Sequence, residues 1–272
     1  MNKNKLKNYI LKLLNNNKKL TVAVSGGIDS LTLAAFISSI SKISVNVAHA
    51  VSPAVPKEAT KRVKLMSKKF NWKLHIIDAN ELNDPRYKAN PYNRCFFCKE
   101  NLYSTIKLNL DGTIFSGANV DDLNDFRPGL DAAKNANVLH PFVDNGFTKK
   151  NIRKLAKEIG LELFSDLPSS PCLASRIQTG TSITKSLLNN IELIEAKIHN
   201  YIPNSDVRCR WLNNEVNIQF NKPNIKEITI EQKTKITKDV GKVFSLSKDK
   251  IKFSEYTKGS AFVAKKIGNK YA

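Results

Sequence analysis

The stretch Ser25-Gly26-Gly27-Ile28-Asp29-Ser30 follows directly on the apolar run Thr21-Val22-Ala23-Val24. Adjacent glycines permit positive φ and close approach. Consecutive amide N–H groups can then form an anion nest at the start of the next helix, where the helix dipole adds to it. Ser25 and Ser30 bring hydroxyl donors, and Asp29 is suited to hold Mg2+ between phosphates. No lysine–serine or lysine–threonine pair follows the glycines as in a Walker A loop, and the G-x-G-x-x-G dinucleotide spacing is absent. The stretch predicts a phosphate grip of another kind.

Four cysteines, Cys95, Cys98, Cys172 and Cys209, are too few to staple a chain of 272 residues. They point instead to metal or reactive-sulfur chemistry. Cys95-Phe96-Phe97-Cys98 has the C-x-x-C spacing that lets two sulfurs reach one metal centre, and zinc, redox and iron–sulfur readings compete for it. A four-thiolate zinc site completed by Cys209 would be closed and inert. Cys172 follows Ser169-Ser170-Pro171 in a loop, where Arg176 favours a thiolate; a small buried hydrophobe is the alternative.

The chain has only eight arginines among 44 basic residues. Five of them, Arg94, Arg127, Arg176, Arg208 and Arg210, lie beside motifs. Planar bidentate donors are better anion ligands than lysines in a chain that defaults to lysine. Arg208-Cys209-Arg210 sits on an expected strand, so alternation puts both arginines on one face and Cys209 on the other. That face suits a phosphate or carboxylate. Gly117, Asn119, Asp121, Asp122, Asp125 and Arg127 occupy the loop after the Thr113 strand, where ligands of parallel sheets bind. Its acids suit Mg2+ or ribose hydroxyls; a solvated turn is the alternative. The histidines His49, His75, His140 and His199 are dispersed. His49 ends a strand and is read equally as an adenine neighbour or a satisfied core histidine.

These groups must be carried by alternating elements. Leu6, Tyr9, Ile10, Leu13 and Leu14 fall at helical spacing in a first amphipathic helix. Strands are expected at 20–24, 43–48, 73–77 and 113–116, and helices at 30–41, 56–70, 98–109, 130–136 and 148–159, with a short extended piece at 138–140 and a long polar stretch at 78–94. Such alternation implies an α/β fold, a parallel sheet with helices on both faces. After residue 178 the pattern changes. Leu187, Ile191, Ile194 and Ile198 line a helix, and 206–212 with 215–220 form a hairpin around Asn213-Asn214. A lysine-rich helix and short strands complete a smaller α/β domain. The expected division is 1–178 and 179–272.

The net charge of +20 favours nucleic acid. The excess is almost all lysine, scattered among asparagine and isoleucine, which is the mark of a compositional bias. No apolar run approaches the roughly 20 residues of a membrane span, and the N-terminus lacks the apolar core of a signal peptide. A cytoplasmic protein is expected.

The motifs resemble a known family. SGGIDS is similar to the signature of the PP-loop ATP pyrophosphatases, which split ATP into AMP and pyrophosphate. Ala50-Val51-Ser52-Pro53 with Pro56 and Glu58, NPYNRCFFCK at 90–99, GANVDDLNDFRPG at 117–129, IRKLAKEIGL at 152–161 and PCLASRI at 171–177 resemble the LarE sulfur transferases in order and spacing, over about residues 20–210. The resemblance implies a PP-loop sheet domain and a C-terminal α/β domain. It implies adenylation of a carboxylate of pyridinium-3,5-biscarboxylic acid mononucleotide and replacement of oxygen by sulfur, for nickel-pincer nucleotide biosynthesis. By the same resemblance Ser25, Gly26, Gly27, Asp29, Ser30, Gly117, Asn119 and Asp121 hold ATP and Mg2+, with Asp29 and Cys172 catalytic. Arg94, Arg176, Arg208 and Arg210 bind substrate. Cys95, Cys98 and Cys172 hold a 4Fe–4S cluster that carries sulfide; in members with one cysteine, that residue gives up its own sulfur. A homo-oligomer is implied. A PP-loop tRNA thiolase, favoured by the charge, and a non-catalytic ATP sensor are the competing readings.

Overall fold

The computed structural model describes residues 2–16, 19–41, 44–124, 126–167, 171–203 and 205–256. Ile43, Asp125, Ser169 and Ser170 lie outside them. The chain divides into two compact units, 1–84 with 93–170 and 85–92 with 171–272.

The first unit is built on a four-stranded parallel sheet. Its strands are β1 (Leu20–Ala23), β2 (Asn46–Ala50), β3 (Lys73–Ile77) and β4 (Thr113–Ser116), in the spatial order β3-β2-β1-β4. The register runs Val22 opposite Val47 and Phe115. The chain therefore moves outward from β1 through β2 to β3, then returns to place β4 on the other side of β1. That reversal makes the β1/β4 crevice the switch point where ligands of such sheets bind, at the carboxyl ends of the strands. Leu139 forms a single parallel bridge to Phe115, so the expected extended piece 138–140 only grazes the sheet edge.

Helix Ile28–Ile40 starts two residues earlier than expected and is buried almost throughout, with Leu31, Leu33, Phe36 and Ile37 inaccessible. Its apolar residues occupy all sides, as befits a helix enclosed by other elements. Leu6 and Ile10 of helix Lys3–Asn16 and Ile152 and Leu155 of helix Lys149–Glu158 join the same core. The latter helix begins with a reciprocal capping box between Thr148 and Asn151. A second cluster, including Ile77, Tyr103, Ile106 and Ile114, packs helix Arg94–Asn109 in the unit.

Two expectations are corrected. The helix expected from Cys98 begins at Arg94, because nothing after Pro91 interrupts it, so Cys95 is helical too. The polar stretch 78–94 is not unbroken loop: it holds a 3-10 turn at Glu81–Asn83 and a helical turn at Pro85–Lys88, where Pro85 leads as a first-turn proline can.

The second unit has strands β5 (Val207–Leu212), β6 (Glu215–Phe220) and β7 (Ile251–Glu255), with β5–β6 antiparallel and β6–β7 parallel. Asn213 and Asn214 both take left-handed φ, 51° and 60°, the geometry of a tight two-residue hairpin. Helices Lys185–Tyr201 and Ile230–Phe244 carry its core residues Ile191, Ile194, Ile198, Ile236 and Val240. Asn90 is fully buried, and its carboxamide donates to the Gln178 and Thr181 carbonyls at 2.8 and 3.0 Å, tying 85–92 to the chain after 171.

Candidate active site

The turn after β1 closes on itself. The Ser30 hydroxyl accepts from the Ser25 N–H (3.2 Å), lies 3.3 Å from the Ser25 hydroxyl and donates to the Gly27 carbonyl (3.1 Å). Gly26 has φ +83°, and a Cβ there would stand 2.7 Å from the Ala59 carbonyl oxygen. Neither the conformation nor the space admits a side chain. The loop after β4 comes equally close: a Cβ on Gly117 would lie 2.7 Å from both Cα and N of Ser30. Gly117→Ala is expected to lower stability by about 1–3 kcal/mol, since backbone cannot step aside; urea denaturation checks this.

Asp29 is the first-turn acid of helix Ile28–Ile40. Its Oδ2 accepts from Asn119 Nδ2 and Lys149 Nζ, each at 3.4 Å. Its Oδ1 is buried with no hydrogen-bond partner among the described residues. Burial pushes this carboxyl above the ordinary range, and Lys149 only partly opposes it. Asn119 is itself buried and donates its N–H to Asp122 (3.1 Å). Asp121 accepts from the Lys149 N–H at 2.7 Å, so one of its oxygens serves the start of helix Lys149–Glu158. Arg127 pairs with Asp122 at 2.8 Å. The structure thus brings Ser25, Gly26, Gly27, Asp29, Ser30, Gly117, Asn119 and Asp121 to one end of the sheet.

His49 is a satisfied core residue. Its Nδ1 donates to the Val24 carbonyl (2.8 Å), which leaves Nε2 to accept from the Thr60 hydroxyl (2.9 Å). Burial lowers its pKa. It braces the strand ahead of the glycine turn against helix Lys57–Lys69.

Cys95 and Cys98 lie on the first turn of helix Arg94–Asn109, both partly exposed, and i,i+3 spacing places them on one face. Arg94, beside them, is buried. In the second unit, Cys172 precedes the 3-10 turn Leu173–Arg176 and is partly exposed. Among the described residues no three His, Cys, Asp or Glu side chains converge on one point.

Arg176 is 2% exposed. Its Nε and Nη2 donate to the two Glu195 oxygens at 3.0 and 3.1 Å, and its Nη1 to the carbonyls of Pro171 (2.7 Å) and Cys172 (3.2 Å). Burial works against its charge, but Glu195 overrides this and the net pKa is raised. Arg208 and Arg210 share a face, as alternation requires: both guanidinium groups lie over the Tyr256 ring, at 5.5 and 5.6 Å. Arg210 also donates to Gln219 (2.5 Å) and to the Ser175 carbonyl (2.8 Å), and burial brings its pKa down to about 10. Cys209 faces the other way, fully buried opposite Ile218, and burial pushes its thiol well up.

Sequence reasoning missed two cations. Lys149 stands on Asp29, and Arg62 donates from Nε to the Gly26 carbonyl at 3.0 Å. The general lysine excess hid the first. The second had only its place on the helix after β2 to mark it.

A four-stranded parallel sheet flanked by helices, with a glycine turn and a first-turn carboxylate at its switch point, makes this an α/β protein consistent with a PP-loop-like fold. The chain belongs to the family of the Uncharacterized protein MJ0830 of Methanocaldococcus jannaschii, with which it is 31% identical over 204 residues, 71% of this chain and 77% of that protein. It is also similar to the Uncharacterized protein slr1717 of Synechocystis sp., 33% identical over 174 residues, 62% of this chain and 65% of that protein, a little under two thirds of its length. A more distant similarity, 25% identity over 218 residues and 78% of each chain, joins it to the pyridinium-3,5-bisthiocarboxylic acid mononucleotide synthase of Lactiplantibacillus plantarum. That relationship supports the LarE-family resemblance of the motifs. No family model matches the chain. No helix among the described residues is long and apolar enough to cross a membrane.

Proposed function

We propose that this protein is an ATP-dependent sulfur transferase. It adenylates a carboxylate of pyridinium-3,5-biscarboxylic acid mononucleotide, releases pyrophosphate and exchanges oxygen for sulfur to give a thiocarboxylate for nickel-pincer nucleotide biosynthesis. The observation that carries the reading is Asp29. A carboxylate oxygen buried with no hydrogen-bond partner among the described residues, in the first turn of a helix, suits a hard cation bound through oxygen. Mg2+ with ATP phosphates is the natural occupant of a glycine nest. The similarity to the Lactiplantibacillus synthase supplies the class of acceptor.

A free carboxylate is a poor electrophile; joined to AMP it gains a leaving group, and a sulfur nucleophile completes the exchange. Ser25, Ser30 and the amides of the turn orient the phosphates, and Asn119 holds Asp29 in position. Arg208 and Arg210, aligned over Tyr256, offer an anionic group of the acceptor a paired cationic face. Cys95 and Cys98, on one helical face, fit two thiolate positions of a single cluster. Such a cluster, with Cys95 and Cys98 among its ligands, would supply the place where sulfide is carried.

The test is an anaerobic assay of the full chain, loaded with iron and sulfide, with ATP, Mg2+ and the biscarboxylic mononucleotide. The expected result is acid-dependent pyrophosphate release and a thiocarboxylate product by mass spectrometry. An unchanged acid together with loss of a tRNA thionucleoside from a deletion strain would overturn the reading in favour of tRNA thiolation.

A further inference from the structure

The glycine turn faces a charge problem that its own residues do not solve. ATP cleavage between the α and β phosphates leaves pyrophosphate, a polyanion. The turn offers neutral hydroxyls and amides, and its one charged side chain, Asp29, is negative. A Walker A loop carries its own lysine; this one does not. Opposing charge must come from other elements, and two such groups stand on the turn.

Lys149 Nζ approaches Asp29 Oδ2 at 3.4 Å and remains 38% exposed. Its backbone is fixed independently, since its N–H donates to Asp121 and it follows the Thr148 capping box. The ammonium can therefore turn to a phosphate without the helix moving. A compact point charge on a flexible stem suits that change of partner. On the other flank, Arg62 of helix Lys57–Lys69 spends Nε on the Gly26 carbonyl and is half-buried. This bond, made by Nε alone, anchors the guanidinium beside the nest. The contact between Gly26 and Ala59 holds the helix there.

We infer that Lys149 and Arg62 form a two-sided cation clamp for the pyrophosphate half of ATP, Lys149 exchanging Asp29 for phosphate when the nucleotide enters. The assignment rests on the ATP-cleaving reading above. It explains how Asp29 keeps an oxygen for Mg2+: a lysine rests on Oδ2 until phosphate displaces it, and Oδ1 is untouched. AMP, which lacks the β and γ phosphates, makes neither contact.

The test is equilibrium binding to the full-length chain with Mg2+, using inorganic pyrophosphate and AMP as separate probes. Lys149→Gln and Arg62→Gln should each weaken pyrophosphate binding about 10- to 100-fold, the size of one charge-assisted contact. AMP binding should stay within about two-fold, which also reports that the variant is folded. Lys149→Arg should restore most of the loss, and the ATP KM should rise in both glutamine variants. Pyrophosphate binding unchanged in the variants, or lost equally with AMP binding, overturns the clamp and leaves the ATP reading standing. Wild-type protein that binds neither probe nor ATP overturns both.

Discussion

Glu195→Ala is expected to destabilise the second unit by about 3–5 kcal/mol, the cost of leaving one partner of a buried ion pair alone. The carboxylate takes three donors: Nε and Nη2 of Arg176 and the backbone N–H of Cys209 at 2.9 Å. Alanine strands a guanidinium that is 2% exposed and orphans an amide in β5. The comparison is Lys252–Glu215, a pair 58% and 34% exposed, where Lys252→Ala should cost under about 1 kcal/mol. Glu195→Gln keeps an acceptor but not the charge and should fall between. Urea denaturation followed by tryptophan fluorescence reads all three, since Trp211 lies on β5. Arg176 also holds the carbonyls of Pro171 and Cys172, so its loosening should speed alkylation of the Cys172 thiol. A Glu195→Ala midpoint equal to that of Lys252→Ala would refute the argument.

What the sequence displayed and what it concealed divide along the range of the interactions. The glycine turn, the Asn213-Asn214 hairpin and the alternation of Arg208, Cys209 and Arg210 depend on residues a few positions apart, and each appears at its expected place. Helix Arg94–Asn109 starts four residues ahead of the expected Cys98, because C-x-x-C spacing suits a metal motif and a helical turn alike. Arg176 stood out as a scarce planar donor. That its guanidinium is occupied by Glu195 depends on how a loop packs on a helix 19 residues away, which no local pattern carries. His49 was equally poised between two roles, and only Val24 and Thr60 settle it as a brace. Lys149 is the sharpest case. Its identity says nothing in a lysine-rich chain, and its meaning comes from Asp29, which is 120 residues distant.

Asp29→Asn should show opposite effects on activity and stability. Pyrophosphate release is expected to fall about 10²- to 10³-fold, the loss typical when one preorganised charged or polar group is removed from a reacting centre. The folded state should nevertheless become more stable at neutral pH. Burial raises the Asp29 carboxyl above its usual range despite Lys149, so the ionised group is held less well in the fold than in water. A carboxyl with a raised folded pKa destabilises the fold wherever it is ionised in the unfolded chain. Replacing it therefore yields its full gain above the raised pKa. The gain shrinks as pH falls and vanishes below the unfolded value of about 3.9, where both states bind the proton. Urea midpoints of wild type and variant measured from neutral to acid pH should start apart, with the variant higher, and converge. A variant less stable than wild type at neutral pH would mean that the Lys149 and Asn119 contacts outweigh the burial of charge. Normal pyrophosphate release would remove Asp29 from the reaction. A carboxylate that costs the fold stability, with one oxygen held by Lys149 and Asn119 and the other buried with no hydrogen-bond partner among the described residues, is what a binding role asks for and a purely structural one does not.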